Sequence, residues 1–312
     1  MRAVLFHNPT AGPKELRGKD KILAALKLVD LDIEYFSTKE DGWKKGFDSK
    51  VDFFIVAGGD GAVRKIIDGL PDREIPIAIL PFGTANNVAR SLAISGKPHE
   101  IAELWDPKRT GIFDVGSAEG PWGQAPFVEA FGLGAIADMI EEVDSKKKAE
   151  GADNLLKGRE ALQKTLKKAK PLDVEIMVDG KAMEGDFLGV EILNTPYTSA
   201  GLPLAPAAET GDGKLNVVCF EKKHRDDLIA WLDAPQKAEP PVLTRAGRKI
   251  TLAWRGAAHR IDDEVFAAKE KEQTAEITCA KFPARILVPK PLVEPEPQLL
   301  EPDDKAKSKA SA

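Results

Sequence analysis

Two short, uninterrupted apolar runs, at residues 53–57 and 75–80, stand out in the first third of the chain. Each is followed at once by a glycine turn, Gly58-Gly59-Asp60-Gly61 and Pro81-Phe82-Gly83-Thr84-Ala85-Asn86, and then by a helical stretch at 62–70 and 87–92. Continuous apolar runs of this length predict parallel strands covered on both faces. In the first helical stretch Val63, Ile66, Ile67 and Leu70 recur at i, i+3, i+4 and i+7, which makes one apolar face. Both turns therefore fall at the carboxyl edge of one parallel sheet, the edge at which open α/β sheets bind ligands. Upstream, 3–7 and 33–36 predict two more strands, separated by a helix over 19–29 with Ile22, Leu23, Leu26 and Val29 on one face. They deliver Asn8-Pro9-Thr10-Ala11-Gly12 and Ser37-Thr38 to the same edge. The stretch 39–50 predicts at best a short, weak helix.

After Arg90 the pattern changes. Pro98, Pro107 and Gly111 punctuate a region with a short helix over 100–105, and from Phe113 the chain reads as β-rich. Strands are predicted at 113–117, 127–131, 174–178, 187–193, 215–220, 249–254 and 276–278. Gly132-Leu133-Gly134 reads as a turn into a helix over 135–143. Residues 145–170 read as a basic helix with Leu155, Leu156, Leu162 and Leu166 in a partial stripe, and 224–232 as a further helix. Asp179-Gly180 is a strong hairpin signal. A run of strands after a βα unit implies a second, mostly antiparallel domain. The expected organisation is an α/β domain with a Rossmann-like parallel sheet at 1–112, a β-sandwich domain at 113–290, and a disordered Pro/Glu/Lys/Ser-rich tail at 291–312.

Composition narrows the class. The length of 312 residues suits about two domains. Apolar residues make up 43% and charged residues 30%, as in a soluble globular protein with ample core. A net charge of −5 gives no support to nucleic-acid binding. No stretch approaches 18 uninterrupted apolar residues, so no membrane span is expected. Cys219 and Cys279 read as buried free thiols of a cytoplasmic protein, and the histidines show no ligand spacing.

The candidate chemistry lies in the turns. Without Cβ atoms, Gly58, Gly59 and Gly61 let backbone N–H groups approach a ligand closely, and with the following helix N-terminus they suit a phosphate. Asp60 inside this loop would repel a phosphate unless it binds an accompanying Mg²⁺ or holds the loop by hydrogen bonds.

The order of these motifs resembles the diacylglycerol kinase catalytic-domain family, which includes bacterial lipid kinases, sphingosine kinases and ceramide kinases. The resemblance runs through Asn8-Pro9-Thr10-Ala11-Gly12, Gly58-Gly59-Asp60-Gly61 and Pro81-Phe82-Gly83-Thr84-Ala85-Asn86-Asn87-Val88-Ala89-Arg90. It continues through Asn194-Thr195-Pro196-Tyr197, Leu204-Ala205-Pro206-Ala207-Ala208, Gly211-Asp212-Gly213-Lys214-Leu215 and Ile261-Asp262-Asp263-Glu264. What it implies is an ATP-dependent lipid kinase acting on diacylglycerol or a related amphiphile, with ATP along Asn8 to Gly12, Thr38, Gly58 to Lys65, Gly83, Thr84 and Asn87. Asp262 and Glu264 would be the catalytic carboxylates, one accepting the proton of the lipid hydroxyl. A structural Mg²⁺ in the second domain would be held by Asp212, with backbone carbonyls of Glu209 and Lys214. Access to lipid would be peripheral, with lysines 146–170 as the candidate contact with anionic headgroups. A homodimer through the first domain would be unsurprising.

The chain departs from the family pattern at Ala62 (usually Thr or Ser), Arg64 and Lys65 (usually Asn and Glu), Asn87 (usually Asp) and Asp263 (usually Gly). The new cations are expected to replace lost metal contacts near the phosphates, or else activity is low. The alternatives are therefore a non-catalytic nucleotide- or lipid-binding homologue and a soluble-metabolite kinase of the NAD type.

Overall fold

A computed structural model describes residues 1–288, apart from residues 13, 15, 16, 28 and 145–151. The tail expected at 291–312 lies outside the described residues, as does the start of the basic stretch. In chain order the first part holds β1 (Arg2–His7), α1 (Lys19–Leu26), β2 (Asp32–Ser37), a 3-10 turn (Trp43–Asp48), β3 (Phe53–Gly58), α2 (Asp60–Gly69), β4 (Ile77–Pro81), α3 (Asn87–Ser91), α4 (Pro98–Ala102) and β5 (Thr110–Phe113). The second part follows with β6 (Gly116–Gly120), β7 (Gly123–Phe127), β8 (Ala130–Gly134), α5 (Ala135–Asp144), α6 (Ala152–Lys168), β9 (Asp173–Val178), β10 (Lys181–Met183), β11 (Phe187–Leu193) and β12 (Leu215–Glu221). It ends with α7 (Arg225–Trp231), β13 (Leu243–Gly247), β14 (Lys249–Arg255), β15 (His259–Ile261), β16 (Glu264–Phe266), β17 (Gln273–Cys279) and β18 (Ala284–Leu287).

The first sheet has the order β2-β1-β3-β4-β18-β5, with β2, β1, β3 and β4 parallel. Every residue of β3 is buried. Its neighbours Phe53 and Phe54 point to opposite faces, as the pleat requires. Phe54 packs on Phe6 and Phe47 of the 3-10 turn, and Phe53 on Trp105 beyond α4. Cover on both faces is why these strands read as unbroken apolar runs.

The last strand departs from the expected boundaries. β18 lies parallel to β4 and antiparallel to β5, so the chain leaves the first sheet after Phe113 and returns to it at Ala284. The sandwich domain is thus inserted between β5 and β18. The strand expected at 113–117 is divided between the domains, because Phe113 ends β5 and Gly116 begins β6.

The inserted domain is two antiparallel sheets, β10-β9-β14-β17-β6-β7 and β13-β12-β11-β8-β15-β16. Phe131, Val190, Ile192, Val217, Ile250, Leu252 and Ile277 fill the space between them. The second of these sheets is also covered outside, where Met139 of α5, Leu162 and Leu166 of α6 and Leu228 and Trp231 of α7 pack on Leu188, Val218 and Phe220. Gly132-Leu133-Gly134 does not form the expected turn. It completes the wholly buried β8, and α5 starts directly after it. Asp179 and Gly180 do make the β9–β10 hairpin, both with positive φ (49° and 77°).

Candidate active site

The carboxyl edge of the first sheet faces the inserted domain across a cleft of about 360 Å³. One wall is Gly59, Asp60, Gly61, Gly83, Thr84, Ala85 and Asn87; the other brings Glu129, Met139, Ile140, Leu155, Ser199, Ala200 and Asp263. A larger hollow of about 560 Å³ between α1 and β2 is lined by Leu23, Leu26, Val29, Leu31 and Ile33. It touches none of the motif residues, and the smaller cleft is the one with convergent polar groups.

The two glycine turns are pressed together. A Cβ on Gly83 would lie 2.5 Å from Gly59 Cα, so both positions need glycine for the close approach. Asn86, at φ 50°, knits its own turn: its Oδ1 accepts the Gly83 N–H at 2.7 Å and its Nδ2 donates to Gly83 O at 2.8 Å. Asp60 holds the loops together, one of the two roles open to it from sequence. Its carboxylate accepts the backbone N–H groups of Asn87 (3.0 Å) and Val88 (2.9 Å). Burial pushes the Asp60 carboxyl up to about 6 against those hydrogen bonds, and the nearby charges of Asp263 and Asp262 add to the rise.

The other nucleotide-edge residues sit beside the cleft rather than on its wall. Asn8 Oδ1 accepts the N–H and hydroxyl of Thr10, an Asx turn, and Gly12 packs at φ 81° against Phe82. Thr38 is buried, with its hydroxyl on His7 O at 3.3 Å. Gly58 closes β3, where a Cβ would meet that of Ala62 at 2.5 Å.

Arg64 and Lys65 are both held by protein partners. Arg64 donates to Ile261 O at 3.1 Å and lies 3.6 Å from Asp262 Oδ2 and 3.7 Å from Asp68 Oδ2. Lys65 Nζ donates to Thr38 O at 3.2 Å and sits 4.4 Å from the centre of the Trp43 ring. Of the two cations expected near the phosphates, Arg64 thus pairs with the candidate catalytic Asp262, and Lys65 is held on Thr38 of the implied nucleotide edge.

Asp262 and Glu264 do not share one strand face. Asp262 lies with Asp263 in the two-residue turn between β15 and β16, and Asp262, not Asp263, takes the positive φ (51°). Its carboxylate accepts three backbone N–H groups, from Val128 (3.1 Å), Glu129 (2.8 Å) and Ala130 (3.0 Å). This pins the β7–β8 corner. Glu264, at the start of β16, is exposed, which leaves it the freer carboxylate of the two.

Sequence reasoning passed over a charged network beneath this turn. Arg260 is fully buried and donates through Nη2 to Glu191 Oε2 (2.6 Å) and Thr198 Oγ1 (2.7 Å) and through Nη1 to Asp262 O (2.8 Å). Glu129 lies 3.8 Å from the same guanidinium. Glu129 also accepts from Asn87 Nδ2 (2.8 Å), Thr198 Oγ1 (2.7 Å) and Ser199 N (2.7 Å). Burial pushes the Glu129 carboxyl up to about 8, with the charge of Asp60 adding and Arg260 opposing. Burial likewise lifts Glu191 to about 7, and Arg260 opposes it. The signal in the sequence was an acid inside an apolar run, at Phe127-Val128-Glu129-Ala130-Phe131 and again at Leu188-Gly189-Val190-Glu191-Ile192.

Of the residues implied to hold a structural Mg²⁺, Asp212 has its carboxylate engaged within the protein. Asp212 accepts the Lys214 N–H at 2.9 Å and the Lys214 ammonium at 3.1 Å. Arg248 donates to Gly213 O at 3.1 Å and Asp212 O at 3.4 Å. The Asp212 carboxylate is thus already paired with a protein cation, and among the described residues no group of three or more acidic, His or Cys side chains could hold a metal ion.

Comparison with known proteins agrees with this architecture. Residues 2–118 match the diacylglycerol kinase catalytic domain, and residues 140–278 match the YegS C-terminal NAD kinase beta sandwich-like domain. The chain belongs to the diacylglycerol kinase catalytic-domain family. It is 26% identical over 242 residues to the diacylglycerol kinase of Bacillus subtilis, covering 73% of this chain and 76% of that one. A crystal structure of a diacylglycerol kinase from Bacillus anthracis superposes with a TM-score of 0.65 at 21% identity, covering 93% and 97% of the two chains. At that identity the superposition speaks for the fold alone. Among the described residues no helix is long and apolar enough to cross a membrane.

Proposed function

We propose that this protein transfers the γ-phosphoryl group of ATP to the hydroxyl of a lipid, diacylglycerol or a related amphiphile. The observation that carries the reading is the two-sided cleft. The glycine turns supply backbone N–H groups and a helix start on one side, and Met139, Ile140 and Leu155 present an apolar wall opposite. A phosphate-binding edge facing an apolar wall suits an acceptor with a polar head and a hydrocarbon body better than a soluble dinucleotide. Kinases of this type work chiefly by positioning and electrostatics, with a carboxylate to accept the acceptor's proton. Glu264 takes that role, and Asp262 shapes the turn that carries it. The lysines of α6, including Lys157, Lys164, Lys167 and Lys168, would meet anionic headgroups; flotation on anionic vesicles that ignores lysine-to-glutamate changes there would remove this part of the reading.

The test is transfer of γ-labelled phosphate from Mg-ATP into a total lipid extract in mixed micelles, beside Glu264→Gln. Label in an organic-soluble product, lost in the variant, is expected. The non-catalytic alternative draws support from Ala62 and Asn87, which lack the hydroxyl and the carboxylate of the family pattern. It predicts ATP binding with no labelled lipid.

A further inference from the structure

Gly132, Glu191 and Arg260 lie side by side on three adjacent strands. The register pairs Gly132 of β8 with Glu191 of β11 on one side and with Arg260 of β15 on the other. Val190 and Ile192 fill the sandwich, so Glu191 between them points to the opposite face of the sheet. A Cβ on Gly132 would lie 2.4 Å from the Glu191 carboxylate oxygens. The missing side chain on β8 is therefore what lets Arg260 and Glu191 meet across it. Nε (3.1 Å) and Nη2 (2.6 Å) of Arg260 both donate to Glu191 Oε2, and both side chains are fully buried. Such a pair is a poor device for stability alone. Desolvation offsets much of its attraction, and well-packed apolar residues of similar volume often serve as well or better. The guanidinium does something an apolar pair cannot. Nη1 reaches the Asp262 carbonyl in the β15–β16 turn (2.8 Å), and Nη2 reaches the Thr198 hydroxyl in the loop after β11 (2.7 Å). Thr198 passes the contact on, donating to Glu129 Oε1 at 2.7 Å. Both segments border the cleft, one through Asp263 and the other through Ser199 and Ala200.

We propose that Arg260 is a positioning residue for the acceptor side of the cleft: anchored on Glu191, it sets the turn that carries Asp263 and Glu264 against the loop that carries Ser199 and Ala200. Its planar fork fixes directions as well as distances, which the point charge of a lysine does not. Arg260 is sealed from the cleft and acts only through these two segments. That Glu264 accepts a proton from the lipid rests on the kinase reading; that Arg260 sets the turn does not.

The test compares the wild type with Arg260→Lys, Arg260→Met and the double variant Arg260→Met, Glu191→Leu, all on the full chain. Hydrogen exchange at the Val128, Glu129 and Ala130 amides, which donate to the Asp262 carboxylate, reports the turn directly, with the amides of β3 as reference. Phosphoryl transfer from Mg-ATP to lipid reports its use. Arg260→Lys is expected to speed exchange at the three amides about tenfold relative to β3. It is also expected to lower kcat about 10²-fold, with the KM for ATP within about threefold of wild type. Arg260→Met strands the Glu191 carboxylate and should melt lowest. The double variant should regain Tm without regaining kcat, because apolar side chains restore packing and not the fork. Wild-type exchange in Arg260→Lys, or kcat returning in step with Tm in the double variant, overturns the proposal and leaves the network a matter of stability. Should the Met variants not fold, Arg260→Lys decides alone. Should it not fold either, Thr198→Val takes its place, with the Ser199 amide held by Glu129 as reporter; unchanged Ser199 exchange and kcat then overturn the proposal. A wild type that transfers no phosphate to lipid defeats the kinase reading, and exchange at the three amides still decides whether Arg260 sets the turn.

Discussion

Arg64 Nη1 donates to the carbonyl of Ile261 at 3.1 Å, which joins the helix after the Gly-Gly-Asp-Gly turn to the strand before Asp262. The residues lie on different domains, and the same guanidinium faces the Asp262 carboxylate at 3.6 Å. Arg64→Ala is therefore expected to act on stability and domain closure. The loss should be about 1–3 kcal/mol, because a partly buried carboxylate also loses its cation. Calorimetry should show a lower Tm, with nucleotide affinity changed far less than a phosphate ligand would require.

Asp262 and Glu264 should separate in their effects. Asp262→Asn puts an amide against the three backbone N–H groups the carboxylate now accepts, so stability should fall by about 1–3 kcal/mol. Glu264→Gln should leave Tm near wild type and reduce labelled lipid by about 10²–10⁴-fold. Thermal melts beside transfer assays distinguish the two.

The buried carboxyls give stability a falling dependence on pH. A folded acid held above its unfolded value binds more protons than the unfolded chain between the two values, so stability drops as pH rises through that window. For Glu191 the window runs from the ordinary carboxylate range to about 7. His259, lowered to about 4 by burial, acts with opposite sign between there and its ordinary 6.5. Glu191→Gln removes one titration, and its Tm deficit against wild type should shrink between pH 5 and pH 7, within that window. Melts at several pH values check this.

Gly83→Ala should abolish nucleotide binding, because the added methyl must displace the Gly59 turn. The stability cost should be about 1–3 kcal/mol, as for other overpacked sites. Isothermal titration with ATP and a thermal melt read the two effects.

Chelation should not lower Tm through the Asp212 turn, since Lys214 already pairs with its carboxylate and Arg248 holds its backbone carbonyls. Arg248→Ala should lower stability by about 1 kcal/mol with or without EDTA. Melts in Mg²⁺ and in EDTA make the comparison.

What the sequence made legible follows from burial. Strands β3 and β11 are covered on both faces, and β14 alternates buried and exposed positions, so each announces itself by pattern. His259–Ile261 and Ala284–Leu287 are equally buried at most positions, but they are short and carry Arg260 or Arg285. A charged residue in so short a run looks like a loop until its partner is known. The same blindness hid Glu129 and Glu191, whose charges are answered by residues scores of positions away. The glycine turns were legible as the carboxyl edge of the sheet, whereas the partners of Arg64 and Lys65 were not, because helix spacing fixes a direction but not a partner.

The return of the chain to its first sheet has a consequence for synthesis on the ribosome. β4 is made early, yet its outer edge is covered only when β18 emerges. About 200 residues separate them, which at about 5–20 residues per second leaves that edge open for about 10–40 s. An unpaired hydrophobic edge is a template for unwanted strand pairing. The half of the protein that is translated first is thus the half completed last, and nascent chains stalled before residue 284 should be the ones that chaperones capture.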